Sequence, residues 1–158
     1  MNTPEIHIAL ENIRSLYNIG AIIRTAEFFG INRIILIGYS GVDKNEPDMI
    51  HRKLKKTSLG SIPKINLEVM KNVELLKKYG LSIIAIENNI SNAKSLYGWN
   101  PPHKAILLFG NEVDGVSKEG LALAQEIIEI PRIGTHSSLN VATACGIVIN
   151  DIVRKLQK

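Results

Sequence analysis

Short apolar runs alternate along this chain with segments whose apolar positions recur every three or four residues. Ile6 to Leu10 reads as a strand. Asn18 stands where a helix cap is wanted, ahead of Ile19, Ile22, Ile23, Ala26 and Phe29 at helical spacing, and Gly30 ends that helix. Arg33 to Ile37 predicts a second strand, with Gly38-Tyr39-Ser40-Gly41 as its exit turn. Residues 42–66 are the least periodic part. Leu67 to Lys78 reads as an amphipathic helix closed by Gly80. Ser82 to Ile86 and Lys104 to Phe109 predict two more strands, separated by a polar loop from Asn88 to His103. Ser117 caps a short helix through Ala124, Glu126 to Ile130 is another strand stopped by Pro131, and a long helix runs from about Leu139 to Lys155.

This alternation predicts an α/β fold, a largely parallel sheet covered on both faces. No repeat, low-complexity tract or linker interrupts it, so residues 1–158 are expected to form a single domain. The last helix is apolar on nearly every side from Val141 to Ile149, which predicts burial all round, in the core or against a second subunit.

Composition narrows the picture. Cys145 is the only cysteine, which excludes an internal disulfide framework and fits a reducing compartment. The first five residues lack the features of a signal peptide, and no apolar run is long enough to span a bilayer. A soluble, cytoplasmic protein with no membrane partner is expected. The net charge of +4 is mildly basic. Arg52-Lys53-Leu54-Lys55-Lys56 carries its cations with no interleaved acid, so Arg52, Lys55 and Lys56 are candidates for phosphate contact, with a solvated face as the simpler alternative.

Ligands of open parallel sheets bind beyond the carboxyl ends of the strands. Three segments leave strand ends with more polar and glycine residues than packing needs: 12–26, 107–117 and 130–140. Gly110 and Gly115 have the spacing of a P-loop, but Val116 stands where its lysine is required. There is no G-x-G-x-x-G after the first strand and no G-x-S-x-G elbow. The four histidines are scattered and no metal-ligand spacing is present. Singly, the polar residues have simple structural roles open to them. Arg24 could pair with Glu27, Asn18 could cap a helix, and Glu112 could favour the positive end of the helix that follows it. Ser138 and Asn140 could cap the last helix.

Together these residues resemble the SpoU/TrmH family of the SPOUT methyltransferase superfamily. Asn18, Gly20, Arg24, Thr25 and Ala26 are similar to its first motif, Phe109-Gly110-Asn111-Glu112 with Gly115 to its second, and Ile130-Pro131 followed by Ser138-Leu139-Asn140 to its third. Lys56-Thr57-Ser58-Leu59-Gly60 also resembles a segment of many short members. Relative to larger members, the extra N-terminal domain is missing from this sequence.

The resemblance implies a Rossmann-like SPOUT fold with a deep C-terminal trefoil knot, formed by the loops after the strands ending near Ile86, Phe109 and Ile130. It implies S-adenosyl-L-methionine bound there by Ile86, Gly110, Ile130, Ser138 and Leu139, without a metal. It further implies a homodimer and methylation of a ribose 2′-hydroxyl, with Arg24, Asn18, Glu112, Ser138 and Asn140 as site residues. The RNA is expected to be transfer RNA first and ribosomal RNA second. Base methylation and a non-catalytic RNA-binding scaffold are the alternative readings.

Overall fold

The strands over Glu5–Glu11 and Lys104–Phe109 sit side by side at the middle of one parallel sheet. A computed structural model describes residues 4–43, 45 and 50–157. Its elements are β1 (Glu5–Glu11), α1 (Leu16–Phe28), β2 (Arg33–Ile37), α2 (Lys53–Thr57), β3 (Asn66–Met70), β4 (Ser82–Ile86), β5 (Lys94–Ser95), β6 (Lys104–Phe109), α3 (Lys118–Leu123), β7 (Glu126–Glu129) and α4 (Val141–Leu156). The sheet order is β3-β2-β1-β6-β4-β7-β5 and every pair is parallel. β1 pairs with β6 from Glu5–Lys104 to Leu10–Phe109.

Strand periodicity sends alternate residues to two cores. Ile8, Leu10, Ile34, Leu36, Leu107 and Phe109 face the core built with α1 and α4. Ala9, Ile35, Ile37, Ile106 and Leu108 face the other, with Val73, Leu76 and Val116. Burial on both faces explains why these strands read as unbroken apolar runs. The α/β expectation is met, and among the described residues no helix is long and apolar enough to cross a membrane.

Three local expectations are corrected. Residues 67–78 are not one helix: β3 pairs in register with β2 from Asn66–Arg33 to Met70–Ile37, and a 3-10 turn over Val73–Tyr79 follows. Ser15, not Asn18, caps α1, with its hydroxyl accepting from the Asn18 N–H at 3.3 Å. Within this chain alone α4 is not buried all round, which corrects only the expectation of burial in the core. Val141, Cys145, Val148, Ile149 and Ile152 enter the core, while Thr143, Ile147, Asn150 and Arg154 are exposed.

After β1 the chain turns to α1 on one face, and after β6 it turns to α3 on the other. The two departures leave a crevice at the carboxyl ends of adjacent strands, the place where such sheets bind ligands. Buried Glu11 braces this edge, accepting from the Ser117 N–H at 3.0 Å and the Ser117 hydroxyl at 2.6 Å at the cap of α3.

Candidate active site

Gly110 explains how the loops at this crevice come so close. A Cβ on it would stand 2.1 Å from the main-chain carbon of Gly115 and from the Val116 nitrogen, so only glycine fits. Asn111 then folds the loop on itself: its main chain pairs with Gly115, and its Oδ1 accepts from the N–H groups of Val113 and Asp114 at 2.8 and 3.0 Å.

Beside this loop lies a cleft between the segments that leave β4, β6 and β7. Ile86, Gly110, Ile130, Ser138 and Leu139, all five residues expected at the cofactor, line it. Asn88 holds two of these segments together, donating to the Ile130 carbonyl at 3.0 Å and accepting from its N–H at 3.3 Å. The walls are apolar at Ile86, Phe109 and Ile130, and the carboxylates of Glu87, Glu112 and Asp114 belong to the same lining. Glu87 accepts from the N–H groups of Asn88 at 3.0 Å and Val116 at 2.8 Å. The sequence reading missed Glu87, which carries no motif signal and shows its role only through partners distant in the chain.

At the mouth of the cleft, residues from all three motif segments meet. The Asn18 amide donates to Glu112 Oε1 at 3.1 Å, and the Asn140 amide donates to Asn18 Oδ1 at 3.0 Å. Glu112 also accepts from the N–H groups of Arg14 at 3.0 Å and Ser15 at 3.1 Å. It therefore serves the entry to α1, not the helix that follows it in sequence. Burial pushes its pKa up, but the N–H groups of Arg14, Ser15 and Glu112 itself and the Asn18 amide outweigh that, and the carboxyl titrates below its ordinary 4.5. Asn140 caps α4, its Oδ1 accepting from Ala142 and Thr143 at 2.9 and 3.3 Å. The cap role and the site role coexist in one side chain.

Arg24 lies apart from this relay. It is exposed on α1, six residues beyond Asn18, which is about 9 Å along the helix axis. The pairing with Glu27 does not form; Glu27 instead binds Lys64 at 2.9 Å. Ser138 is exposed on the cleft rim.

The segment from Lys56 to Gly60 has a definite place. α2 packs on α1, and Thr57 sits directly over Gly20, where an added Cβ would be 2.3 Å from Thr57 Oγ1 and 2.7 Å from its main-chain carbon. Only glycine allows that approach. Arg52, just before α2, and Lys53, Lys55 and Lys56 on it are exposed, with no ion pair to any described residue. Among the described residues, no group of three or more His, Cys, Asp or Glu side chains converges as a metal site.

The model of the SpoU rRNA Methylase family matches residues 5–150. A 23S rRNA (guanosine-2'-O-)-methyltransferase of Neisseria meningitidis is 27% identical over 159 residues, covering 98% of this chain and 60% of that protein. The solved structure of an AdoMet-bound rRNA methyltransferase from Sinorhizobium meliloti matches with a TM-score of 0.84 at 27% identity, over 98% of this chain and 58% of that one. A third match is a structure solved for insight into the 2-OH methylation of C/U34 on tRNA, with a TM-score of 0.81 and 27% identity over 99% of both chains. The chain thus spans about three fifths of the first two proteins and nearly all of the third.

Proposed function

The chain belongs to the SpoU rRNA methylase family, and from that membership we propose that it transfers a methyl group from S-adenosylmethionine to a ribose 2′-hydroxyl of RNA. The observation that carries this reading is the Glu112–Asn18–Asn140 relay, which joins the three motif segments at the mouth of the cleft. The cleft suits the cofactor by its chemistry: apolar walls at Ile86 and Ile130 for a planar base, and the carboxylates of Glu87 and Asp114 for a cationic sulfonium. Gly110 keeps the loop backbone close. When bound, the cofactor supplies an electrophilic methyl group; the protein's task is to hold the acceptor oxygen in line with it.

Ile86, Gly110, Ile130, Ser138 and Leu139 hold the cofactor in this reading. Glu112 fixes Asn18, and Asn18 and Asn140 orient the ribose by amide groups that the relay has already aligned, a positioning contribution of several kcal/mol. Arg24 does not act as a base, because a guanidinium stays charged and offers no acceptor. It clamps the neighbouring phosphate and stabilises the charge that develops on the hydroxyl oxygen. A phosphate oxygen or water takes the proton. Arg52, Lys55 and Lys56 extend the phosphate track along α2.

Transfer RNA is the first substrate class, supported by the end-to-end match to a protein studied for 2-OH methylation on tRNA; ribosomal RNA is second. The knot formed by the loops after β4, β6 and β7 is part of the same proposal, as are a homodimer and a cytoplasmic location. The dimer rests on α1, whose Tyr17 and Phe28 are each 80% exposed on the side that carries Arg24.

The test is incubation of bulk tRNA and, separately, rRNA with S-adenosylmethionine labelled in its methyl group, followed by digestion to nucleosides and mass spectrometry. A 2′-O-methylnucleoside is expected. Label on a base would transfer the reading to base methylation, and no label in tRNA or rRNA would leave a scaffold.

A further inference from the structure

A second cleft, of about 960 Å³, opens on the other side of the β6–α3 loop, beyond the carboxyl ends of β1 and β2. Arg14, Leu16, Gly38, Tyr39, Val42 and His51 line it. Its volume falls within the range of small-ligand sites. The methyl-transfer relay does not use it.

Tyr39 is built into this cleft with unusual care for a half-exposed side chain. It is 49% exposed on the turn after β2. Gly38 and Gly41, with φ of 66° and 63°, make that turn possible. Next to it, wholly buried Ser40 ties the turn to the one after β1, donating to the Leu10 carbonyl at 2.7 Å and accepting from the Ile13 N–H at 2.8 Å. At the far end of the ring, the Tyr39 hydroxyl accepts from the Asn111 amide at 2.9 Å. The same amide nitrogen donates to the Asn12 carbonyl at 2.7 Å. The exposed Arg14 lines the same cleft. The ring is thus fixed at root and tip while much of its surface remains open to solvent.

Basic residues flank the cleft, with one acid, Asp43, in its lining: Arg14 lies at one side, and His51 leads through Arg52 into Lys53 of α2 at the other. A fixed aromatic face beside a guanidinium and a basic track is how unpaired bases of RNA are held, since every base has a face to stack. Asn111 connects the two clefts: it follows Gly110 of the cofactor cleft, precedes Glu112 of the relay, and anchors Tyr39. We infer that Tyr39, flanked by Arg14, is a stacking platform for an unpaired nucleobase of the substrate RNA. This rests on the RNA methyl-transfer reading above.

The experiment measures binding of bulk tRNA to wild type, Y39A, Y39F and R14A over a range of salt concentrations, with S-adenosylmethionine affinity measured by calorimetry for each. Y39A is expected to lose roughly 5- to 150-fold in RNA affinity, the loss typical for removing one stacked base. Stacking releases no counterions, so its salt dependence should run parallel to that of wild type, whereas R14A should flatten the slope. Y39F keeps the ring and should recover most of the affinity. All variants should bind the cofactor as wild type does. Unchanged RNA affinity in Y39A, or an equal drop in Y39A and Y39F, would overturn the platform. A weaker cofactor affinity in Y39A would overturn it too, assigning Tyr39 to support of the Asn111 loop. A wild type that binds no RNA at all would overturn the methyl-transfer reading and this inference with it.

Discussion

The Asn140 side chain reaches across 122 residues of chain to donate to Asn18 Oδ1 at 3.0 Å, while its own Oδ1 caps α4. The two jobs use different atoms and can be separated. Asn140→Ala loses both, and removal of the cap alone costs about 1 kcal/mol. Asn140→Ser keeps a capping oxygen but no amide to reach Asn18. Its melting temperature should stay within a degree or two of wild type while kcat falls sharply. A serine variant with normal turnover would show that the amide does not position the ribose.

Glu112 gives the site a pH signature. Its folded-state pKa is lowered, so its contribution to stability is complete above the ordinary 4.5 and disappears as pH falls through the lower folded value. Thermal melts of wild type and Glu112→Gln should differ most near neutrality, with wild type the more stable, and converge on acidification below 4.5. A gap that does not change with pH would mean that the carboxylate charge is not what the Arg14 and Ser15 N–H groups stabilise.

Gly20→Ala tests the seat of α2. The added methyl would meet the Thr57 side chain at 2.3 Å and its main chain at 2.7 Å, so rotation of the threonine cannot relieve the clash. Overpacking of this kind costs about 1–3 kcal/mol. Both the melting temperature and RNA affinity should drop, since α2 carries Lys55 and Lys56. A variant as stable as wild type would show that α2 shifts at no cost.

The seating of Thr57 on Gly20 shows where legibility in the sequence ends. The resemblance marked Gly20 and Lys56 to Gly60 separately, yet their meeting is a fact of tertiary structure. Strands buried on both faces were readable because their apolar runs are unbroken. β3 was not, because Leu67, Met70, Val73 and Leu76 satisfy helical spacing equally well, and only pairing with β2 decides for a strand. Glu112 was legible as a site residue, but its partners at the start of α1 lie nearly a hundred residues away. The helix-cap reading of Asn18 failed because Ser15, three residues earlier, takes the cap and frees the amide for Glu112.

Arg24 and the basic run of α2 should fail differently. Arg24→Ala removes a group proposed to act mainly in the transition state. It should cut kcat by orders of magnitude while leaving cofactor affinity intact. Neutralising Arg52, Lys55 and Lys56 together should weaken RNA binding and lower the salt slope by roughly 0.7 to 0.9 log units for each phosphate no longer paired. Turnover at saturating RNA should change less. Wild-type rates from Arg24→Ala would refute the phosphate clamp, and a full salt slope in the triple variant would make α2 a solvated face.

The dimer proposal draws on α1, because Val141, Cys145, Val148, Ile149 and Ile152 of α4 are buried within its own chain. Tyr17, Ala21, Arg24 and Phe28 follow one another at spacings of four, three and four, a single stripe along the exposed side of the helix. Phe28 is 80% exposed and touches only the edge of Phe29 among aromatic neighbours, at 5.1 Å between centroids. Burying such a side chain against a partner is worth about 1.5–3 kcal/mol per copy. A two-fold interface would use it twice. Sedimentation at micromolar concentration should therefore show a homodimer, and Phe28→Glu should shift it to monomer without lowering the melting temperature of the isolated fold. Because Arg24 lies on the same stripe, the monomeric variant should lose methylation while keeping S-adenosylmethionine affinity. A wild type that sediments as a monomer at high concentration would refute the interface, and a monomeric but fully active Phe28→Glu would separate the dimer from the chemistry.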